Sequence, residues 1–465
     1  MTSQEELFSA VIARASSPIK LLISLDGCGA AQRRPNHGGW SRTWGVMLVL
    51  LWRYPFGPRM GAEASAVTFI CAAEILGLAG FSLVPALLPQ FIATWSLSNA
   101  EAGWLAGIMS AGYMAGVLPL VALTDRMPAR TIYLACSALS ALSCFGIALS
   151  DGLLPALVWR AMGGIALAGM YMPGLRALTD GMAGARRARA AAWYTSSFTL
   201  GSSLSFLLGQ AGLLWDWRGA FLVSGALGGI GVLLAWAVLP RMTTETPTER
   251  PGAMPNLRPV LGNRDVLVLI VGYAATIWGT AGLRQWIVVF LAFCVANQGG
   301  GATQDWSMLA IGALIGLLGV PAGLYGNELS LRLGLRATAM GVFLVSVLAN
   351  ALFGFAALLP YGAVVTLAMV AGFVVQGNFS NLTSGVLVVA EPRWRGVTVA
   401  VYSCIGFAGG FLGTLLFGVA LDRFGGTARL AAWVGAFSLC AMACLVGSIA
   451  TAFLSRDLGW ADTRE

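Results

Sequence analysis

Charge is scarce in this chain. Of 465 residues only 10% are Asp, Glu, Lys or Arg, against about 25% in a soluble globular protein. There is one Lys, Lys20, and one His, His37, both within the first 60 residues. Beyond them no imidazole exists to relay a proton or hold a metal. The eight Cys include no C-x-x-C pair. Cys440 and Cys444 lie one helical turn apart and read as small packing residues, with a metal pair as the weaker alternative. No Gly-rich phosphate loop ending in Gly-Lys and no nucleophile–base pair is visible. These absences argue against an enzyme, an ATP-driven pump, a metal site and a bound cofactor.

Apolar residues are abundant instead, at 57% with a mean hydropathy of +0.78. The 60 Gly suit helices that pack closely in lipid. Helix-length apolar runs fall at 66–92, 101–123, 131–150, 153–178, 190–213, 218–240, 266–293, 305–326, 336–358, 361–390, 396–421 and 427–453. The pattern predicts an all-α membrane protein of twelve transmembrane helices in two pseudo-symmetric six-helix bundles. The predicted domains are an N-terminal extension (1–64), a first bundle (65–240), a linker rich in Pro, Thr and Glu (241–264), a second bundle (265–453) and a tail (454–465). Met60 directly precedes the first run, so the extension reads as a mispredicted start or a disordered tail, with a peripheral amphipathic segment as the alternative.

The net charge of +8 could suggest nucleic acid, but the positions of the basic residues exclude that. Arg126 and Arg130, Arg186, Arg187 and Arg189, Arg241, Arg250, Arg258 and Arg264, Arg332 and Arg336, and Arg393 and Arg395 all fall on one side of the predicted membrane. The other side holds only Arg218, Arg423 and Arg429. Such asymmetry marks the cytoplasmic side and places both termini there.

The halves repeat each other. Leu123-Thr124-Asp125-Arg126-Met127-Pro128-Ala129-Arg130 aligns with Leu329-Ser330-Leu331-Arg332-Leu333-Gly334-Leu335-Arg336 at an offset of 206 residues. Arg187, Tyr194 and Gly201 align with Arg395, Tyr402 and Gly409 at an offset of 208. A duplicated bundle around a central site is a transporter architecture.

Four motifs then carry a family resemblance. Val121-Ala122-Leu123-Thr124-Asp125-Arg126-Met127-Pro128-Ala129-Arg130 is similar to the loop pattern G-x-L-a-D-R-x-G-R-K of the major facilitator superfamily, with both Gly positions lost. Arg160-Ala161-Met162-Gly163-Gly164, Trp217-Arg218-Gly219-Ala220-Phe221 and Gly418-Val419-Ala420-Leu421-Asp422-Arg423-Phe424-Gly425-Gly426 resemble its fourth-span, sixth-span and eleventh-span patterns. The G-P-x-x-G-G of many drug exporters is missing from the fifth span, which counts against efflux. The resemblance implies a monomeric secondary carrier in the bacterial inner membrane, working by alternating access on a small-molecule solute, with protons as a candidate coupling ion. It also implies that spans 1, 4, 7 and 10 line the cavity. Tyr171-Met172-Pro173-Gly174 and Tyr194-Thr195-Ser196-Ser197-Phe198 resemble a bacterial subgroup that includes proposed riboflavin importers. The expected activity is import of a neutral, ring-bearing nutrient such as riboflavin. Export of drugs or metabolites and a non-transporting membrane sensor are the alternatives.

Charges within the spans each need a reason, since one at the bilayer centre costs about 2.5–3.5 kcal/mol on insertion scales. Glu74 reads as a substrate or proton site, or as an ion-pair partner for Arg160. At 1.5 Å per residue the two sit at depths of about 12 and 20 Å, within reach of each other through long side chains, and Arg284 sits at about 27 Å, out of reach of Glu74 without a kink. Arg160 reads as structural or part of proton coupling. Arg284 reads as a ligand for an anionic or carbonyl-bearing solute, or as snorkelling to the headgroups. Phe81, Tyr171, Trp278, Trp286, Gln376, Asn378 and Asn381 complete the candidate lining, with hydrogen bonding between helices as the other use of the amides. Asp125, Arg126, Arg130 and Asp180 are candidates for a cytoplasmic gate, or plain helix-end charges. Ser98-Asn99-Ala100-Glu101 reads as a helix capping box.

Overall fold

The computed structural model describes residues 62–124, 126–179, 182, 184–239, 258–298 and 307–455. Among these residues every regular element is a helix. Nine apolar helical stretches are long enough to cross a membrane: Asn99–Leu123, Ala129–Ala148, Leu153–Thr179, Trp217–Val238, Met308–Leu333, Leu335–Leu358, Tyr361–Val389, Arg395–Arg423 and Leu430–Thr451. A further helix, Gly184–Trp215, runs for 32 residues. The remaining two spans are interrupted. One is Ala62–Gly77 followed by Leu83–Trp95; the other is Arg264–Gly279, Ala281–Gln285 and Ile287–Asn297. In chain order these are spans 1 to 12; spans 1 and 7 open the two halves, and spans 8 and 10 are also broken, at Leu318 and Gly377.

Two of the interruptions have a local cause in proline. In span 1 the carbonyl of Phe81 should receive the N–H four residues on, but that residue is Pro85, which has none. In span 8 Pro321 removes the donor for Leu317 in the same way, and the helix breaks at Leu318. Hydropathy alone reads these spans as continuous, because it gives no weight to the backbone N–H that proline lacks.

Start signals behave as the sequence predicts. Ser98 Oγ accepts from Glu101 N at 3.2 Å, and Glu101 Oε2 accepts from Ser98 N at 2.8 Å, the reciprocal box that starts span 2. Asn263 Oδ1 accepts from Asp265 N and Val266 N and starts span 7.

The repeat is visible in contacts. Arg130 donates to the carbonyls of Trp236 and Leu239 at the end of span 6, at 2.8 and 3.0 Å. Its repeat mate Arg336 donates to the carbonyl of Leu454 just past span 12, at 3.3 Å. Tyr194 OH donates to Met170 O in span 4, and Tyr402 OH pairs with Thr383 Oγ1 in span 10. Gly201 sits against Ile75 and Leu78 of span 1, and Gly409 against Ala274 of span 7. Residues 206 or 208 apart therefore do the same work in each half.

Outward-facing Leu149, Leu154, Leu233 and Leu324 are each more than 65% exposed, as expected where the solvent is hydrocarbon. Where spans 2 and 4 cross, a Cβ at Gly112 would strike the Ala161 carbonyl and one at Gly164 the Met109 carbonyl, the close approach that glycine permits between helices in lipid.

With twelve spans, both ends of the helical region lie on one membrane face. At the opposite face an apolar cluster containing Phe91, Trp217, Trp286, Phe290, Phe417 and Trp433 runs through both halves. Two polar links cross there as well. Asp422, ending span 11, accepts from the start of span 2, and Ser307, starting span 8, donates to Gln210 Oε1 near the end of span 5 at 3.0 Å. Spans 2 and 8 are repeat mates, as are 11 and 5, so the two links are reciprocal.

Candidate solute cavity

A narrow cavity of about 30 Å³ lies between the halves, covered on the opposite face by that cluster, so a solute would have to widen it on entry. Its ring walls are Phe81 from span 1, Phe206 from span 5 and Phe407 from span 11. Ser110, Ser202, Ser203 and Gln285 supply uncharged polar groups, and Arg160 and Arg284 supply charge. No Asp or Glu is among the described residues lining it.

Arg160 is 4% exposed and reaches the interruption of span 1. Its Nη2 donates to Phe81 O at 2.8 Å and its Nη1 to Gly80 O at 3.3 Å. The first of these is the carbonyl that Pro85 leaves without a donor. Its Nε is buried and unpartnered. The ion pair with Glu74 that residue depths allow does not form. The broken helix offers Arg160 nearer acceptors, and Glu74 faces elsewhere.

Glu74, 1% exposed, lies one element deeper, away from the cavity wall. Its Oε2 is hydrogen-bonded to Ser197 Oγ of span 5. Cys71 of span 1, Tyr133 of span 3, Tyr171 of span 4 and Tyr194 of span 5 are the titratable groups around it. Ser197 Oγ also lies 2.7 Å from Tyr194 O. A serine hydroxyl has one proton. If it is given to the Tyr194 carbonyl, Glu74 must be protonated and donate to Ser197; if Glu74 is ionised, the hydroxyl must turn to it.

Arg284 sits in the last turn of the short Ala281–Gln285 helix, and its guanidinium makes no hydrogen bond or ion pair with a described residue.

A family model described as Major Facilitator Superfamily matches residues 70–414. The chain belongs to the major facilitator superfamily. Its fold is that of solved members at low identity. A bacterial homologue of the human lysosomal transporter Spinster, inward-facing and occupied, matches at 17% identity over 84% of this chain and 96% of that one, with a TM-score of 0.66. A point mutant of the nucleoside transporter NupG matches at 13% identity over 84% of this chain and 99% of that one, with a TM-score of 0.67. No curated protein matches in sequence. Superfamily membership makes this a secondary transporter that moves small-molecule solutes through a lipid bilayer, and not an enzyme.

Within the superfamily frame, the other expected lining residues fall into two groups. Tyr171 packs on Phe198 and Tyr194 beside Glu74. Trp278 lies against Gly413 of span 11 with its Nε1 buried and unpartnered. Trp286 is fully buried, donates to Thr414 O at 3.2 Å and stacks on Phe417. Gln376 Nε2 donates to Ile315 O at 2.9 Å, bridging spans 10 and 8. Asn378 donates to Ala339 O of span 9 at 3.2 Å and accepts from Asn381. These amides hold helices together in this conformation. Arg130 binds within its own half, Arg126 is exposed, and Asp125 and Asp180 lie outside the described residues.

Sequence reasoning missed Ser203, Phe206, Gln285 and Phe407. The expected lining is spans 1, 4, 7 and 10, whereas the described lining comes from spans 1, 2, 4, 5, 7, 8 and 11 and includes no residue of span 10. The serine pair Ser202-Ser203 in an apolar run was the available signal, since buried hydroxyls in lipid need a use.

Proposed function

We propose that this transporter imports a small, ring-bearing organic solute together with a proton. The observation that carries the reading is the pairing of a ring-walled cavity between the halves with a buried carboxyl that shares one hydroxyl proton with Ser197. The Arg-rich face is assigned to the cytoplasm by charge asymmetry, in a bacterial inner membrane with both termini inside and one chain as the working unit. The face bound by Asp422 and Ser307 is then the outer one.

In the transport cycle, Glu74 takes a proton when the cavity faces outward. Rotation of the Ser197 hydroxyl records that event at the contact between spans 1 and 5. Solute enters between Phe81, Phe206 and Phe407, the halves close over it at the outer face, and solute and proton leave inward. A protonated Glu74 removes a charge whose burial would otherwise oppose the reorientation.

Riboflavin, the solute suggested by the fourth- and fifth-span resemblance, supplies a flat ring with carbonyl acceptors and is the first probe. The experiment is uptake of labelled riboflavin by cells that cannot make it, with and without a protonophore. Accumulation that the protonophore abolishes supports the reading. Riboflavin accumulation indifferent to the protonophore removes the proton, and faster loss from preloaded cells turns the direction to export.

A further inference from the structure

We infer that the solute carries an anionic group, a carboxylate or a phosphate, received between Arg284 and Arg160. This rests on the reading of the cavity as the solute site and specifies what that site selects.

Two guanidinium groups line one cavity in the middle of a membrane protein, and none of the described lining residues bears a negative charge. A guanidinium cannot shed its proton to escape the cost of burial. It must be paired, or the site must be completed by something from outside. Arg160 is partly paired, by two carbonyls of the broken span 1, which carry partial charge only. Its Nε is left free. Arg284 makes no hydrogen bond or ion pair with a described residue, and its one titratable neighbour there is the phenol of Tyr273. Glu74, the carboxyl of span 1, is bound to Ser197 and does not line the cavity.

The unpartnered polar atoms point the same way. Ser203 Oγ and Gln285 Oε1 are buried without a hydrogen bond, and both residues line this cavity. With Arg160 Nε they make three orphaned groups in one lining, where most buried polar atoms in proteins are satisfied. Ser203 and the two arginines are donors, and Arg284 presents a planar fork suited to a carboxylate or phosphate. Gln285 adds an acceptor for an N–H or O–H of the same molecule. Phe81, Phe206 and Phe407 receive the ring. An ionised group on the solute would pair with the two guanidinium groups and take up the unpartnered donors of the lining. The expected neutral nutrient meets the ring requirement and leaves this charge unbalanced.

The test is binding to the purified full chain, which needs no transport and so separates this inference from the proton-coupled import reading. Melting temperatures are measured with matched pairs that differ in charge: riboflavin 5′-phosphate and riboflavin, indole-3-acetate and indole-3-acetamide, 4-hydroxybenzoate and 4-hydroxybenzamide. In at least one pair the anion should stabilise the protein with an apparent affinity about tenfold or more above its neutral partner. Arg284→Gln should erase that difference while its ligand-free melting temperature stays equal to wild type or rises, because the guanidinium removed makes no hydrogen bond or ion pair with a described residue. Arg284→Lys should keep part of the preference. Neutral members binding as tightly as anions, a preference surviving in Arg284→Gln, or no anion in the set binding would each overturn the inference. So would a ligand-free Arg284→Gln that melts well below wild type, since Arg284 would then be a structural residue. Competition by a short-chain phosphatidylglycerol equal to that of the soluble anions would assign the site to a lipid headgroup instead and overturn it as a solute site.

Discussion

Asp422 binds the start of span 2 from the other half of the molecule. Its Oδ1 accepts from Asn99 N at 3.1 Å and Asn99 Nδ2 at 2.7 Å, and its Oδ2 accepts from Ala100 N at 2.8 Å. A carboxylate at a helix N-terminus meets unpaired N–H groups and the positive end of the dipole. Here the cap comes from a different half, so it holds only while this face is shut. Asp422→Ala should remove about 1–2 kcal/mol from the closed state and raise the population open on this face by about 5–30-fold. Ser110→Cys, in the cavity lining and in a background without the native cysteines, reports it. An impermeant maleimide applied from the Asp422 face should label it faster in the Asp422→Ala variant, and unchanged labelling would show the link to be incidental.

Arg160 and Phe81 form the second relationship with a measurable consequence. The guanidinium supplies the donor that Pro85 denies to the Phe81 carbonyl. Charge-assisted bonds of this kind contribute about 1.5–3 kcal/mol each. Arg160→Leu should lower the melting temperature of the purified protein by several degrees. Arg160→Lys should recover part of it, because one ammonium cannot match two carbonyls in the fork geometry of Arg. If Pro85→Ala, which returns the backbone donor, leaves Arg160→Leu as unstable as before, the capping account fails.

Glycine positions separate contact from open space. Gly164→Ala places a Cβ against the Met109 carbonyl, whereas Gly341 has nothing within 4 Å of an added Cβ. Gly164→Ala should destabilise by about 1–3 kcal/mol through overpacking. Gly341→Ala, on a helix, should be neutral or gain up to about 1 kcal/mol. Thermal unfolding in detergent compares the two, and equal melting temperatures would contradict the close crossing of spans 2 and 4.

Much of this architecture was legible in the sequence because lipid makes few demands and makes them loudly. Twelve apolar runs, a repeat at 206–208 residues and the Asp-Arg motif located the spans and the family. Arg130 and Arg336, paired by sequence alone, turned out to cap spans 6 and 12 alike. What stayed hidden depends on backbone geometry. Pro85 is plain in the sequence and its missing N–H frees the Phe81 carbonyl; that Arg160, on another span, is the group that reaches it together with Gly80 depends on the fold. Depth along a helix gave distance without direction, which is why Glu74 was placed within reach of Arg160 although it faces Ser197. Rings were easier to place than to assign. Trp286 reads as a cavity residue from its span, yet its neighbours Thr414 and Phe417 take both its N–H and its face.

The most direct test of proton-coupled import is made in proteoliposomes, with Glu74→Gln beside wild type. Uptake of the solute identified by the binding pairs is measured with an inward proton gradient and without one. The account predicts that the gradient drives accumulation by wild type. Glu74→Gln, which cannot lose or gain the proton, should bind the solute and exchange it across the membrane yet fail to accumulate it. Gradient-driven accumulation by Glu74→Gln at the wild-type level would contradict the account.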